Sequence, residues 1–180
     1  MGIRRVVTGH DRNGKAVFAS DVEVEPITLA LLPGMEFYRL WGSDKPRRFP
    51  DDGSAPVQHN YFPPVGGFRF GLFTLPPDSS RLQSLDEPAA IREFNEKLPG
   101  LGEHLEPDHP GMHRTATIDY EFIVSGRCVL ELDAGVKREL RSGDTVIQNG
   151  TRHAWRNPYD EPCVIVVVLI GAHHDNVPIA

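Results

Sequence analysis

Between residues 111 and 157 the chain reads GMHRTATIDYEFIVSGRCVLELDAGVKRELRSGDTVIQNGTRHAWRN, two β-rich stretches punctuated by glycine turns. Successive side chains of an extended chain point to opposite faces, so His113, Thr115, Thr117 and Asp119, spaced by two, share one face. Past a hairpin centred on Gly126, Cys128 to Leu132 alternates in the same way, and Gly143-Asp144 marks the entry to Thr145, Val146 and Ile147. A second turn, Asn149-Gly150, precedes His153, whose parity Trp155 and Asn157 share. If His113 faces the inside of a small barrel, Asp119 does too, and His153 returns on a strand that can lie beside it. The expectation is an all-β fold that brings two imidazoles and one carboxylate together.

This segment resembles the cupin superfamily. The first cupin motif is G-x5-H-x-H-x3,4-E-x6-G, and here His113 matches its first histidine, Thr115 replaces the second, and Asp119 stands for the glutamate, with Gly126 following at the family spacing. In the second motif, G-x5-P-x-G-x2-H-x3-N, Gly143, His153 and Asn157 match, and Gln148-Asn149-Gly150 takes the place of Pro-x-Gly in a segment one residue shorter. The resemblance spans residues 105 to 172 and implies a double-stranded β-helix, or jelly-roll barrel, with extra N-terminal strands and one short helix. Residues 1–104 elaborate the barrel, 105–172 form its core and 173–180 a C-terminal tail, all within one structural domain.

The full metal site of that family has three histidines and a glutamate. The resemblance therefore implies one divalent metal, iron, manganese, nickel or zinc, held by His113, Asp119 and His153. Two histidines and a carboxylate are the composition of the facial triad of non-haem Fe(II). Read from the residues alone, the same three groups equally suit metal-free general acid–base work, since imidazole titrates near neutrality. Each histidine also has a plainer reading, at a strand edge or as a satisfied core residue. Thr115, Thr117 and Trp155 are expected as pocket walls that contact a substrate, and Glu121, of the same parity but deeper, as a supporting residue near a bulge. His104, His109 and the His173-His174 pair are expected at the surface.

With 180 residues, 39% of them hydrophobic, and a formal net charge of −6, there is material for one barrel core. Lys and Arg occur singly or in short pairs such as Arg47-Arg48, which argues against a nucleic-acid surface. The longest apolar run, Cys163 to Ala172, is about half of what a membrane-spanning helix needs and reads as a buried strand. No apolar signal core opens the chain, so a cytoplasmic protein is expected, with Cys128 and Cys163 as buried free thiols.

In the N-terminal half, Ile3 to Thr8, Ala16 to Ser20, Phe37 to Trp41 and Phe68 to Leu75 are strand-like, while Trp41 to Gly67 is too rich in Pro, Gly and Asp for regular structure. Its Tyr61-Phe62 either covers a pocket or packs outside the barrel. Residues 88–98 predict a helix with Ile91, Phe94 and Leu98 on one face. The resemblance implies a small-molecule enzyme, foremost a lyase (decarboxylase or dehydratase), with a metal-dependent dioxygenase or a non-catalytic ligand-binding cupin as alternatives, and a homodimer formed through the N-terminal strands.

Overall fold

The computed structural model describes residues 2–80 and 87–175. Eleven strands run in chain order: β1 (Ile3–His10), β2 (Ala16–Val24), β3 (Ile27–Thr28), β4 (Glu36–Ser43), β5 (Phe68–Leu75), β6 (Thr117–Ser125), β7 (Arg127–Leu132), β8 (Lys137–Arg141), β9 (Thr145–Asn149), β10 (His153–Arg156) and β11 (Cys163–Gly171). A helix, α1 (Glu87–Lys97), lies between β5 and β6. Six strands pair in the order β3-β4-β5-β11-β6-β9, three as β10-β7-β8, and β1 pairs with β2 alone. The N-terminal strands β3 to β5 thus extend the same sheet as β11, β6 and β9.

The apolar run CVIVVVLIG folds as β11 in the middle of the large sheet, antiparallel to β5 on one side and β6 on the other. Its odd-numbered residues, Cys163, Ile165, Val167, Leu169 and Gly171, face inward and are buried. Ile123 of β6 and Cys128 of β7 join Cys163 and Ile165 in one core, each with 0% exposure, so the two sheets close on each other. Cys128 and Cys163 are free thiols whose side chains hydrogen-bond to one another across that core. The β6–β7 hairpin turns at Gly126, where φ is 76° and a Cβ would collide with the Pro162 carbonyl. Only glycine accepts both the left-handed backbone and the close approach.

Helix α1 differs from expectation in its buried face. Ala90, Phe94 and Leu98, spaced by four, are buried, whereas Ile91 is 49% exposed. Three-residue and four-residue steps both fit the helical period, so spacing alone does not separate Ile91 from the buried stripe.

The segment from 44 to 67 contains no strand or helix, yet it is tied down. Arg69, 5% exposed on β5, donates to Asp44 and to the carbonyls of Asn60, Ser43 and Phe68. At the other end Gly171 N–H donates to the Gly67 carbonyl at 3.0 Å. These bonds satisfy buried backbone groups that an irregular segment would otherwise leave unpaired, and they fix Tyr61 and Phe62 over the open end of the barrel.

Candidate functional site

Inside the barrel lies a cavity of about 370 Å³, walled largely by apolar side chains, with Asp78, His113, Asp119, Glu121, His153 and Arg156 as its acidic and basic residues. His113 precedes β6 rather than belonging to it. It pairs with His153 through an isolated antiparallel bridge, each backbone N–H donating to the other's carbonyl at 2.9 Å. This pairing sets the two imidazoles side by side, ring centres 4.2 Å apart and planes at 52°. The adjacency expected from the sequence is therefore what the strands produce.

Hydrogen bonding assigns the tautomer of both rings. His113 Nδ1 lies 3.1 Å from the Gly111 carbonyl and His153 Nδ1 lies 2.9 Å from the Thr151 carbonyl. A carbonyl only accepts, so each Nδ1 carries the proton and each Nε2 holds a lone pair. Burial pushes the His153 pKa down to about 3, helped by its neighbour His113, and burial lowers that of His113 as well. Both rings are neutral proton acceptors near neutral pH.

The carboxyl groups are shifted the opposite way. Asp119 and Glu121 alternate inward along β6, 3% and 5% exposed, opposite Leu169 and Val167 of β11. Burial raises the Asp119 pKa to about 6 against the opposing effect of the Thr117 hydroxyl, and burial together with the charge of Asp119 raises Glu121 well above the usual carboxylate range. Asp119 Oδ1 and Glu121 Oε2 are buried without a hydrogen-bond partner, as is Nε2 of Gln148, the residue paired with Asp119 on β9. Glu121 sits on the cavity wall itself, in regular register with Val167 and Val146, so it is neither peripheral nor at a bulge.

Thr115 and Thr117 share the expected parity and are buried, but they do not line this cavity. Their hydroxyls are 2.8 Å apart, and Thr117 hydrogen-bonds to Asp119. Thr117 faces a second, polar cavity bounded by Asp44, His59, Phe62 and His104. Trp155 does line the main cavity, its ring edge-on to Phe73 at 6.3 Å. Asn157 is fully buried and donates to the Leu75 and Glu161 carbonyls, a structural tie between strands.

Several wall residues come from the N-terminal half: Leu31, Leu32, Met35, Phe37, Tyr61 and Phe62. Tyr61 and Phe62 cover the cavity, with Phe37 and Tyr61 edge-to-face at 6.2 Å. His104 is not a free surface residue. It bonds to the Arg114 carbonyl at 3.0 Å and packs against Phe62 at 4.8 Å. His174 likewise bonds to the Gly150 carbonyl, while His109 is exposed. No local signal marks Leu31 to Met35 as wall; only the aromatic pair in a proline-rich segment stood out.

As a metal centre the donor set is incomplete. His113 and His153 offer two adjacent lone pairs, but among the described residues no three His, Cys, Asp or Glu side chains are grouped to hold an ion. His113, Asp119 and His153 line one cavity.

Two antiparallel sheets closed on one core, with imidazole and carboxyl side chains on the wall of an internal cavity, define a β-barrel of the jelly-roll kind. The cupin domain model (Cupin_2) matches residues 102–169, and the chain belongs to the cupin superfamily. It is 44% identical over 157 residues to the oryzines biosynthesis cluster protein J of Aspergillus oryzae, covering 87% of this chain and 75% of that protein. Over 46 residues, 26% of this chain and 24% of the other, it is 50% identical to the cupin-domain-containing oxidoreductase srdD of Neurospora crassa. Among solved structures, the Schizosaccharomyces pombe Cnp3 cupin domain is similar at TM-score 0.48 and 10% identity, over 93% of this chain and 87% of that one.

Proposed function

We propose that this cupin is a small-molecule lyase that eliminates water or carbon dioxide by proton transfer within the barrel. One observation carries the reading: two neutral imidazoles and two carboxyl groups of raised pKa line a single apolar cavity. Groups whose environments hold them in opposite protonation preferences supply both a base and an acid at one pH. In a dehydration, His153 Nε2 takes the proton from carbon, the electron pair of that C–H bond forms the double bond, and the hydroxyl leaves as water with a proton from Glu121. In a decarboxylation the C–C bond to the carboxylate breaks, carbon dioxide leaves, and the same acid protonates the carbanion. The apolar wall excludes water and strengthens these interactions.

The test is incubation with a panel of β-hydroxy ketones and β-keto acids, read by mass spectrometry for loss of water or carbon dioxide. Turnover by the native protein and rates lower by roughly 10²–10⁴ in His153→Ala and Glu121→Gln are expected, the usual contribution of a positioned acid or base. A second reading, oxidative and metal-dependent, is supported by the local similarity to the srdD oxidoreductase. Stoichiometric metal in the purified protein, lost in His113→Ala and His153→Ala, together with oxygen uptake and no elimination product, would select it.

We also propose that the protein is a cytoplasmic homodimer. The free thiols fit a reducing compartment, and the β1–β2 hairpin exposes Val6, Val17, Phe18 and Val22, with Phe18 79% exposed. Light scattering should give twice the chain mass and Phe18→Asp the single mass; a native monomer at micromolar concentration refutes the dimer.

A further inference from the structure

The outward face of the large sheet is apolar where a solvated face would be polar. An antiparallel sheet with one face in water alternates apolar and polar residues, and a strand that is apolar on both faces belongs to a sheet covered on both. β11 is such a strand: CVIVVVLIG sends Ile165, Val167 and Leu169 into the core, and Val164, Val166, Val168 and Ile170 to the other side. The strands beside it continue the pattern. In register across the sheet, Phe70 of β5, Val168 of β11, Tyr120 of β6 and Ile147 of β9 form one row. Phe70, Tyr120, Phe122, Val124, Ile147 and Ile170 are each between 38% and 51% exposed. The outward positions of these four strands are every second residue of 68–74, 118–124, 145–149 and 164–170, all among the described residues. None of them carries Asp, Glu, Lys or Arg.

Size and charge say what covers this face. At a strand spacing of about 4.8 Å and a rise of about 3.4 Å per residue, four strands about seven residues long make a flat footprint of roughly 450 Å². Each partner of a stable complex buries about 800 Å², so the rows need a neighbour that extends them. The β1–β2 hairpin is that neighbour. Arg5 donates to the Leu40 carbonyl at 3.1 Å, and its guanidinium lies 5.6 Å over the ring of Trp41, the β4 partner of Phe70. The hairpin, with its exposed Val6 and Phe18, therefore abuts the same row. A two-fold dimer sets a patch against itself, which repels wherever the patch is charged. This one is uncharged, although the whole chain stands at −6. A membrane is the poorer partner, because an apolar face that enters lipid is flanked by Lys and Arg that meet anionic headgroups, whereas the excess charge of this chain is acidic.

We infer that the outward face of β5, β11, β6 and β9 is the centre of a two-fold interface with a second copy of this chain, packed sheet against sheet and flanked by the β1–β2 hairpins. This rests on the homodimer reading above and moves the centre of its interface from the hairpin to the sheet.

Sedimentation velocity on the full-length protein across micromolar concentrations tests it, with Phe122→Lys in the middle of the face and Ile147→Lys on its β9 edge. Both side chains point outward within one chain, so the fold of the single chain is retained, which circular dichroism checks; should one variant fold poorly, the other decides. In a two-fold interface each substitution enters twice, and like charges set against each other in it are strongly unfavourable, so either variant raises the dimer dissociation constant at least about a hundredfold. Val136→Lys, as exposed but in the turn before β8, leaves the dimer intact. A dimer that survives both face variants yet falls apart in Phe18→Asp overturns this inference and leaves the homodimer reading standing, with the hairpin as its interface. A native monomer overturns both. Native protein that floats with vesicles of phosphatidylcholine and phosphatidylserine, while Phe122→Lys does not, overturns the second copy and gives the face to a membrane.

Discussion

Asp119→Asn is expected to be more stable than the parent protein by about 3 kcal/mol at about pH 8, and equally stable at about pH 3. The carboxyl has a folded pKa of about 6 against the usual 3.8. A raised folded pKa means that stability is fully present below the unfolded value and is lost as pH rises through the folded one, so the native state carries the cost of the buried carboxylate above about pH 6. Asparagine keeps the shape and the Thr117 contact without the charge. Glu121→Gln moves stability in the same direction. The histidines act oppositely. With the His153 pKa depressed to about 3, stability is present above the unfolded value of 6.5 and falls as pH drops from there toward 3. Urea midpoints measured across pH therefore peak on the acid side of neutrality. A parent protein and Asp119→Asn with parallel profiles would show that Asp119 is not buried as described. A gain in stability on removing a wall carboxyl is what a functional group retained against folding would produce.

The second large effect is expected at the end of β11. Gly171→Ala places a Cβ inside the Pro64 carbonyl and 2.9 Å from the Pro63 carbonyl, so the backbone of one partner must move. Such forced overpacking costs about 1–3 kcal/mol. Its local consequence is loss of the bond from Gly171 to the Gly67 carbonyl, and with it the clasp that holds Tyr61 and Phe62 over the cavity. Hydrogen exchange should accelerate through residues 60–67. Unchanged exchange in that segment would mean that Arg69, at its other anchor, suffices alone.

Parity along an extended chain is a local property of the backbone, and what depends on parity alone was legible in the sequence. The inward face of 117, 119 and 121, the hairpin at Gly126 and the buried run of β11 follow from alternation and glycine turns. Depth and neighbours are decided by pairing between residues far apart in sequence. Thr117 and Asp119 share a face, yet Phe62 and His104 screen the threonine into another cavity while the aspartate reaches the main one. Glu121 lines the cavity beside Val167, its partner on β11. The imidazoles and Asp119 line one cavity, which long-range pairing and not the motif spacing sets. The covering residues, Leu31 to Met35 and Tyr61-Phe62, lie in irregular segments whose course is set by distant anchors such as Arg69 and Gly171. The sequence by itself determined which side chains could face inward; the tertiary structure decided which of them meet around a ligand-sized space, because only long-range packing sets the distances between faces.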